Sequence, residues 1–260
     1  MTTSLRTRLV QCVVAGGLAL VAVFAMPAHA DFQDNVAVVK RSVVAVGTLS
    51  PTRNPRFRFL GTGFVAGNGN QVVTNAHVAA AVPEGAGNDE KLVIVTPGTG
   101  RVVARPVTKE AVDLDHDLVV LRFEGPPMPA LPLGDSSAVR DGQDVALTGF
   151  PLGGSIGLTP VTHKGIVSAI TPVGQPLESA RQLDSGVVRR LSAGGYSVLQ
   201  LDIVSYPGNS GSPLFDANTG QVLGVLNMVF IKSTKESAIT SPSGISYAIP
   251  VSFVKSLLSP

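Results

Sequence analysis

The chain has 260 residues, 44% of them hydrophobic and 15% charged, with 20 Lys and Arg against 18 Asp and Glu and one cysteine. Residues 1–30 hold two of the arginines, the cysteine and no acid. Without them the charges balance at 18 each, which excludes both the basic footprint of a nucleic-acid binder and a disulfide framework.

That leading segment reads as a secretory signal peptide. Arg6 and Arg8 precede an apolar run from Leu9 to Met26, and Ala28-His29-Ala30 has the small-x-small form of a cleavage site. Cleavage after Ala30 would give an exported protein, periplasmic or secreted, that starts at Asp31. No later run is apolar enough to hold it stably in a membrane. An uncleaved anchor is the alternative reading. Cys12 follows the bulky Gln11 and lies ahead of most of the apolar run, the wrong place for lipidation.

Asp31–Arg41 is expected as a short helix that buries Val36 and Val39, with Val38 beside them. Val43–Leu49 follows as a strand. Gly61–Val65 and Gln71–Thr74 are strands joined by Gly67-Asn68-Gly69-Asn70, a short-hairpin signal. Lys91–Thr96 and Arg101–Val107 flank Pro97-Gly98-Thr99-Gly100, a second hairpin, and Leu118–Phe123 is an apolar run bounded by acids. A proline-rich connection, Pro126 to Pro132, leads to a second group of strands. These are expected at Asp144–Gly149, Val161–Ile170, Ser197–Ile203, Ser212–Phe215, Val222–Val229 and Ile245–Ile249. Pro250–Leu258 reads as a terminal helix opened by a proline. Two groups of short strands, with too few helices for parallel crossovers, predict an all-β fold of two antiparallel barrels. The first would occupy residues 31–130 and the second 131–260. Thr171–Gly195 and Lys232–Ser243 fit no regular element and are candidates for binding or regulatory loops.

Chemistry concentrates at three places. Gly208-Asn209-Ser210-Gly211-Ser212-Pro213 brackets a serine with two glycines after a strand, a pattern suited to a tight turn that presents a hydroxyl and backbone N–H groups together. His77 follows the strand that ends near Thr74, where it can be held rigidly with one ring face open. Asp113, Asp115 and Asp117, with Glu124 at the twelfth place, have the spacing of a calcium loop. Leu118 stands where that loop needs glycine, and Val119–Phe123 is apolar, so no metal or other cofactor is expected. Asp117, at the mouth of a buried strand, needs a hydrogen-bond partner, and a histidine N–H would serve. Asp113 and Asp115 are expected in a hydrated turn. The order His77, Asp117, Ser210 is that of the two-barrel serine proteases and differs from subtilisin-type and α/β-hydrolase orders.

The wider sequence resembles the HtrA/Deg branch of trypsin-like serine proteases. Thr62-Gly63-Phe64 and Val72-Val73-Thr74-Asn75-Ala76-His77-Val78 are similar to its histidine region, and Asp117-Leu118-Val119-Val120-Leu121 to its aspartate motif. Leu133-Gly134-Asp135-Ser136, Gly149-Phe150-Pro151-Leu152-Gly153, Gly165-Ile166-Val167-Ser168, the hexapeptide at Ser210 and Gly244-Ile245-Ser246-Tyr247-Ala248-Ile249-Pro250 follow in the family's order. The resemblance runs from about Val36 to the end. It implies two six-stranded chymotrypsin-like barrels with the active site in the cleft between them. It further implies a Ser210 nucleophile, His77 as general base and acid, Asp117 as its orienter, and an oxyanion hole from the Gly208 and Ser210 N–H groups.

A chain of this kind would hydrolyse polypeptides, unfolded or flexible ones, in envelope quality control or processing, with the oligomeric state left open. Val204 lies where basic-specificity relatives place an aspartate, and Val225–Val229, including Asn227 and Met228, would form a pocket wall for an apolar P1 residue. Two departures matter. The usual PDZ continuation is not expected within this sequence, and Asn209 replaces the aspartate that pairs with a new N-terminus in zymogen-type trypsins. A chaperone-like or binding module with a resting oxyanion loop is the alternative function, and an esterase a third.

Overall fold

The computed structural model describes residues 31–80, 89–96, 103–153, 157–173, 195–227 and 244–259. The expected leader, the tip of the Pro97–Gly100 hairpin, Met228, all of Lys232–Ser243 and most of Thr171–Gly195 lie outside the described residues.

A helix, α1 (Phe32–Ser42), leads into six strands: β1 (Val43–Leu49), β2 (Phe57–Ala66), β3 (Gln71–Asn75), β4 (Lys91–Thr96), β5 (Val103–Asp113) and β6 (Leu118–Phe123). A four-residue helical turn, α2 (Ala76–Ala79), interrupts them after β3. Six more strands follow: β7 (Asp144–Gly149), β8 (Val161–Val173), β9 (Tyr196–Asp202), β10 (Pro213–Asp216), β11 (Val222–Asn227) and β12 (Ile245–Pro250). Helix α3 (Val251–Leu258) closes the described chain, with Pro250 as its N-cap residue. Each group forms a closed antiparallel barrel, in the order β1-β2-β3-β6-β5-β4 and β10-β11-β12-β9-β8-β7. The expected all-β, two-barrel architecture is the one observed.

The barrels explain why so many strands are apolar on both faces. On β1 the side chains alternate between two destinations. Val44 and Val46 fill the interior of the first barrel with Val65, Val72, Ile94, Val119, Leu121 and Phe123. Val43 and Ala45 turn outward into a cluster that also contains Phe150, Phe215, Val225 and Ile249 of the second barrel and Val251 and Val254 of α3. A third cluster, around Leu147, Leu199, Leu201, Leu214 and Leu226, fills the second barrel. The seam between the barrels is therefore a core in its own right.

Two expectations need correction. In α1 the buried positions are Asn35, Val39 and Ser42, whereas Val38 is 43% exposed. The spacing of four and three residues defines the buried stripe, and Asn35 belongs to it because its side-chain amide donates to Ala217 O at 3.1 Å. The second strand of the Pro97 hairpin runs on to Asp113, well past Val107. Its polar residues Thr108, Lys109 and Glu110 are exposed on the barrel surface and carry no apolar signal.

One histidine of the second barrel has a consequence for stability. His163 on β8 faces Leu147 of β7 across the sheet, and its Nε2 is buried with no hydrogen-bond partner among the described residues. Burial holds its pKa below the ordinary histidine value. The unfolded chain therefore takes up the proton first as the pH falls. Stability is full above about pH 6.5 and declines below it, towards the lower folded pKa. Thermal unfolding at pH 7.5 and 5.5 should show a smaller acid-induced drop in His163→Gln than in the parent. Equal drops would remove His163 as the source.

Candidate active site

The β3–β6 ladder sets the first half of the site. Asn75, the last residue of β3, pairs with Leu118, the first of β6, so His77 just past one strand meets Asp117 just before the other. Asp117 adopts a left-handed backbone, φ 52°, which aspartate tolerates better than most side chains. In that conformation it serves the α2 turn twice over. Its carbonyl accepts from Ala76 N at 3.0 Å and from the Asn75 side-chain amide at 3.1 Å. Its Oδ1 accepts from His77 N at 2.9 Å, and Oδ2 lies 2.6 Å from His77 Nδ1. With a carboxylate as partner, Nδ1 carries the proton and Nε2 is left as an acceptor. The His77 side chain is 35% exposed and that of Asp117 19%, so the acid is sheltered while the imidazole keeps an open side.

A second contact to the acid comes from the other barrel. Asn227, at the end of β11, donates from Nδ2 to Asp117 Oδ2 at 2.9 Å. The sequence placed Asn227 on a substrate-pocket wall. It is 1% exposed and its amide faces Asp117, so it offers a substrate no surface. A polar residue ending the buried run Val222–Leu226 was the available signal, since such a group must find a partner. Of the other expected pocket residues, Val204 is 36% exposed just after β9, and Met228 is outside the described residues.

Ser210 sits in a backbone turn between β9 and β10. Asn209 N donates to Tyr206 O at 3.0 Å and Ser212 N to Asn209 O at 2.9 Å, while Gly211 N reaches Leu226 O at 3.0 Å. Both glycines that drew attention to this stretch have left-handed backbones, φ 103° at Gly208 and 86° at Gly211. Space excludes side chains there as well. A Cβ on Gly208 would lie 2.4 Å from Phe150 O, and one on Gly211 2.1 Å from Thr62 O. Strand β2 joins this turn to the histidine. Thr62 N donates to Ser210 O at 2.9 Å, and over the preceding Gly61 an ideal Cβ would meet Val78 Cγ2 at 2.8 Å and Ser210 O at 3.1 Å. Glycine at 61 thus lets the Ser210 turn and the residue after His77 close on the same point of β2.

The neighbouring serines are otherwise engaged or enclosed. The hydroxyls of Ser205 and Ser246 are hydrogen-bonded at 2.6 Å, and the Ser212 hydroxyl is fully buried. Asn209 is fully buried too, and its side-chain amide has no hydrogen-bond partner among the described residues. The turn expected at Asp113 and Asp115 forms, with both residues partly exposed, and Asp113 has a specific partner in it. Asp113 Oδ2 lies 2.6 Å from His116 Nδ1, and the His116 ring stacks on Phe253 of α3 with centroids 3.6 Å apart. Among the described residues no cluster of His, Cys, Asp and Glu is suited to a metal ion.

The sequence profile of the trypsin-like peptidase domain matches residues 61–225, a span that includes His77, Asp117 and Ser210. The chain belongs to the trypsin-like peptidase family. Within that family it is similar to HtrA-type proteins. It is 34% identical over 196 residues to a DegP-like periplasmic serine endoprotease of Halomonas elongata, covering 75% of this chain and 33% of that one. A mitochondrial serine protease HTRA2 of Drosophila pseudoobscura is 34% identical over 198 residues, 76% of this chain and 38% of its own. The chain thus spans about a third of the length of the curated relatives it matches. Among solved structures, the HtrA-type protease AlgW with tripeptide superposes with a TM-score of 0.61 at 22% identity, over 88% of this chain and 64% of that one. Deg5 superposes with a TM-score of 0.57 at 24% identity, over 85% and 90%. These superpositions support the trypsin-like two-barrel fold. No helix among the described residues is long and apolar enough to cross a membrane.

Proposed function

We propose that the chain is an exported serine endopeptidase in which Ser210, His77 and Asp117 act as a catalytic triad. The observation that carries this reading is the 2.6 Å contact from His77 Nδ1 to Asp117 Oδ2. It directs the Nε2 lone pair away from the acid, where it can take the Ser210 proton. Ser210 Oγ then attacks the scissile carbonyl, and the carbonyl π electrons move to oxygen as the tetrahedral intermediate forms. The N–H groups of Gly208 and Ser210 receive that oxyanion, each donor worth roughly 3–4 kcal/mol in the transition state. Protonated His77 returns its proton to the leaving amine as the C–N bond breaks, leaving an acyl-enzyme on Ser210. Water, deprotonated by His77 in the same way, releases the second product and restores the serine.

The substrates that fit are unfolded or flexible polypeptides, cut in envelope quality control or processing. An apolar P1 residue matches Val204, with Met228 nearby in sequence. The similarity to a periplasmic DegP-like protein supports export. A covalent probe tests the nucleophile directly. A fluorophosphonate should label the intact protein once, on the peptide that contains Ser210, and Ser210→Ala should abolish the label. Absence of label in the parent protein under native conditions would overturn the enzymatic reading in favour of a binding module.

A further inference from the structure

The proposed oxyanion donor, Gly208 N–H, has no side chain to fix its direction. With φ at 103° and no Cβ, the peptide planes on either side of its Cα can turn at little intrinsic cost. The first plane is held by one hydrogen bond and the second by two. On the first, Leu152 N donates to Pro207 O at 2.7 Å. The C=O and N–H of a trans peptide point in opposite directions, so this contact aims Gly208 N–H away from the turn at Leu152. On the second, the Thr62 hydroxyl donates to Gly208 O at 2.7 Å, and Asn209 N donates to Tyr206 O at 3.0 Å.

The same hydroxyl also accepts from Phe150 N at 3.1 Å. Phe150 begins the turn that carries Leu152, since Gly153 N donates to Phe150 O at 3.2 Å. One oxygen atom therefore ties the Ser210 turn to the segment that grips Pro207. Thr62 is fully buried, and its backbone is committed as well. Its N–H donates to Ser210 O at 2.9 Å, and its carbonyl accepts from Thr74 Oγ1 at 2.6 Å, three residues before His77. A residue of the first barrel thus contacts the Ser210 turn directly and, through Thr74, the strand that leads to His77, without reaching a reacting atom.

We infer that Thr62 is a positioning residue for the oxyanion site, its hydroxyl fixing the peptide planes that aim Gly208 N–H at the substrate. The inference rests on the serine-peptidase reading above. Thr62→Val keeps the branched shape and replaces the hydroxyl with a methyl group, which leaves Gly208 O and Phe150 N without that partner. Phe150 then loses the tie that seats the Leu152 turn, whose grip on Pro207 O sets the plane of Gly208 N–H, and the loss falls on the transition state, where the oxyanion develops.

The test measures kcat and KM on a fluorogenic peptide, together with the affinity for a peptide boronic acid, whose tetrahedral adduct mimics the oxyanion. In Thr62→Val, kcat should fall about 10- to 100-fold with KM within about twofold, and the boronate Kd should weaken in parallel. Thr62→Ser, which restores the hydroxyl, should recover most of both. Rates are taken per folded molecule from near-ultraviolet circular dichroism, and Thr62→Ala replaces the valine variant if valine does not fold. A folded hydroxyl-free variant with parental kcat and boronate affinity would overturn the inference. So would a rise in KM alone, which is the mark of a lost binding contact. Ser210→Ala runs alongside: if it remains active the peptidase reading fails, whereas a silent Ser210→Ala beside a fully active Thr62→Val removes only the role of Thr62.

Discussion

Replacing Ser210 by alanine should lower peptide-bond hydrolysis by about four or more orders of magnitude while leaving the fold in place. The substitution removes one oxygen atom. The turn itself is held by backbone hydrogen bonds, from Thr62 N to Ser210 O and from Gly211 N to Leu226 O, and alanine keeps both. The N–H groups of Gly208 and of residue 210 also stay, so both donors of the proposed oxyanion hole survive. What is lost is the acyl-enzyme route, and the remaining site would retain only the modest acceleration that oxyanion binding supplies over water. Hydrolysis of a denatured protein substrate, measured beside thermal unfolding of both proteins, checks the expectation. Activity within tenfold of the parent at an unchanged Tm would exclude Ser210 as the nucleophile.

Asp117→Asn should cost about as much, roughly 10⁴-fold in kcat, for a different reason. The carboxylate accepts at both oxygens: His77 N on Oδ1, and His77 Nδ1 and Asn227 Nδ2 on Oδ2. An asparagine has one oxygen and one NH2 group, so either orientation places a donor against a donor. With its NH2 at the Oδ2 position it opposes Asn227 and obliges His77 Nδ1 to accept. The imidazole proton then moves to Nε2, the atom that must take the Ser210 proton. With its NH2 at the Oδ1 position it opposes the His77 backbone N–H and weakens the α2 turn. A stability loss of about 1–3 kcal/mol should accompany the loss of rate, because a sheltered donor is left unpaired. Steady-state kinetics and urea unfolding of the same preparation measure the two effects together. Parental kcat in Asp117→Asn would show that the acid does not set the histidine tautomer.

The contact from Asn227 gives this pair a feature beyond a two-residue couple. Its donor comes from the second barrel and its acceptor from the first, so the inter-barrel seam holds the acid as well as the hydrophobic core. Thr62 spans the same seam in the opposite direction, from the first barrel to the Ser210 turn. Each barrel thus supplies one half of the proposed site and also braces the half supplied by the other. Relative movement of the barrels would disturb the acid and the oxyanion turn together.

Much of this was legible along the chain because it depends on local pattern. Val43–Leu49, Lys91–Thr96, Leu118–Phe123 and Asp144–Gly149 have the expected bounds, since Gly, Pro and acidic residues delimit apolar runs that can only be buried strands. The glycines around Ser210 were informative for a similar reason: a left-handed backbone in a crowded place leaves little other choice of residue. Where a strand is polar and faces solvent, as over Thr108–Glu110, the pattern is silent and the bound was missed.

What the sequence by itself determined was the set of strands, the histidine, acid and serine worth examining, and their order along the chain. Tertiary structure alone decided the partners of those residues. Asn227 and Asp117 are 110 positions apart, and Thr62 and Gly208 are 146 apart, each pair split between barrels. Side-chain periodicity records which face of a strand is buried, but it does not record what that face meets once two barrels close on each other. For the same reason Asn227 looked like part of a pocket wall when its amide in fact faces the acid, and Thr62 looked like one residue of a motif when its hydroxyl bridges two turns.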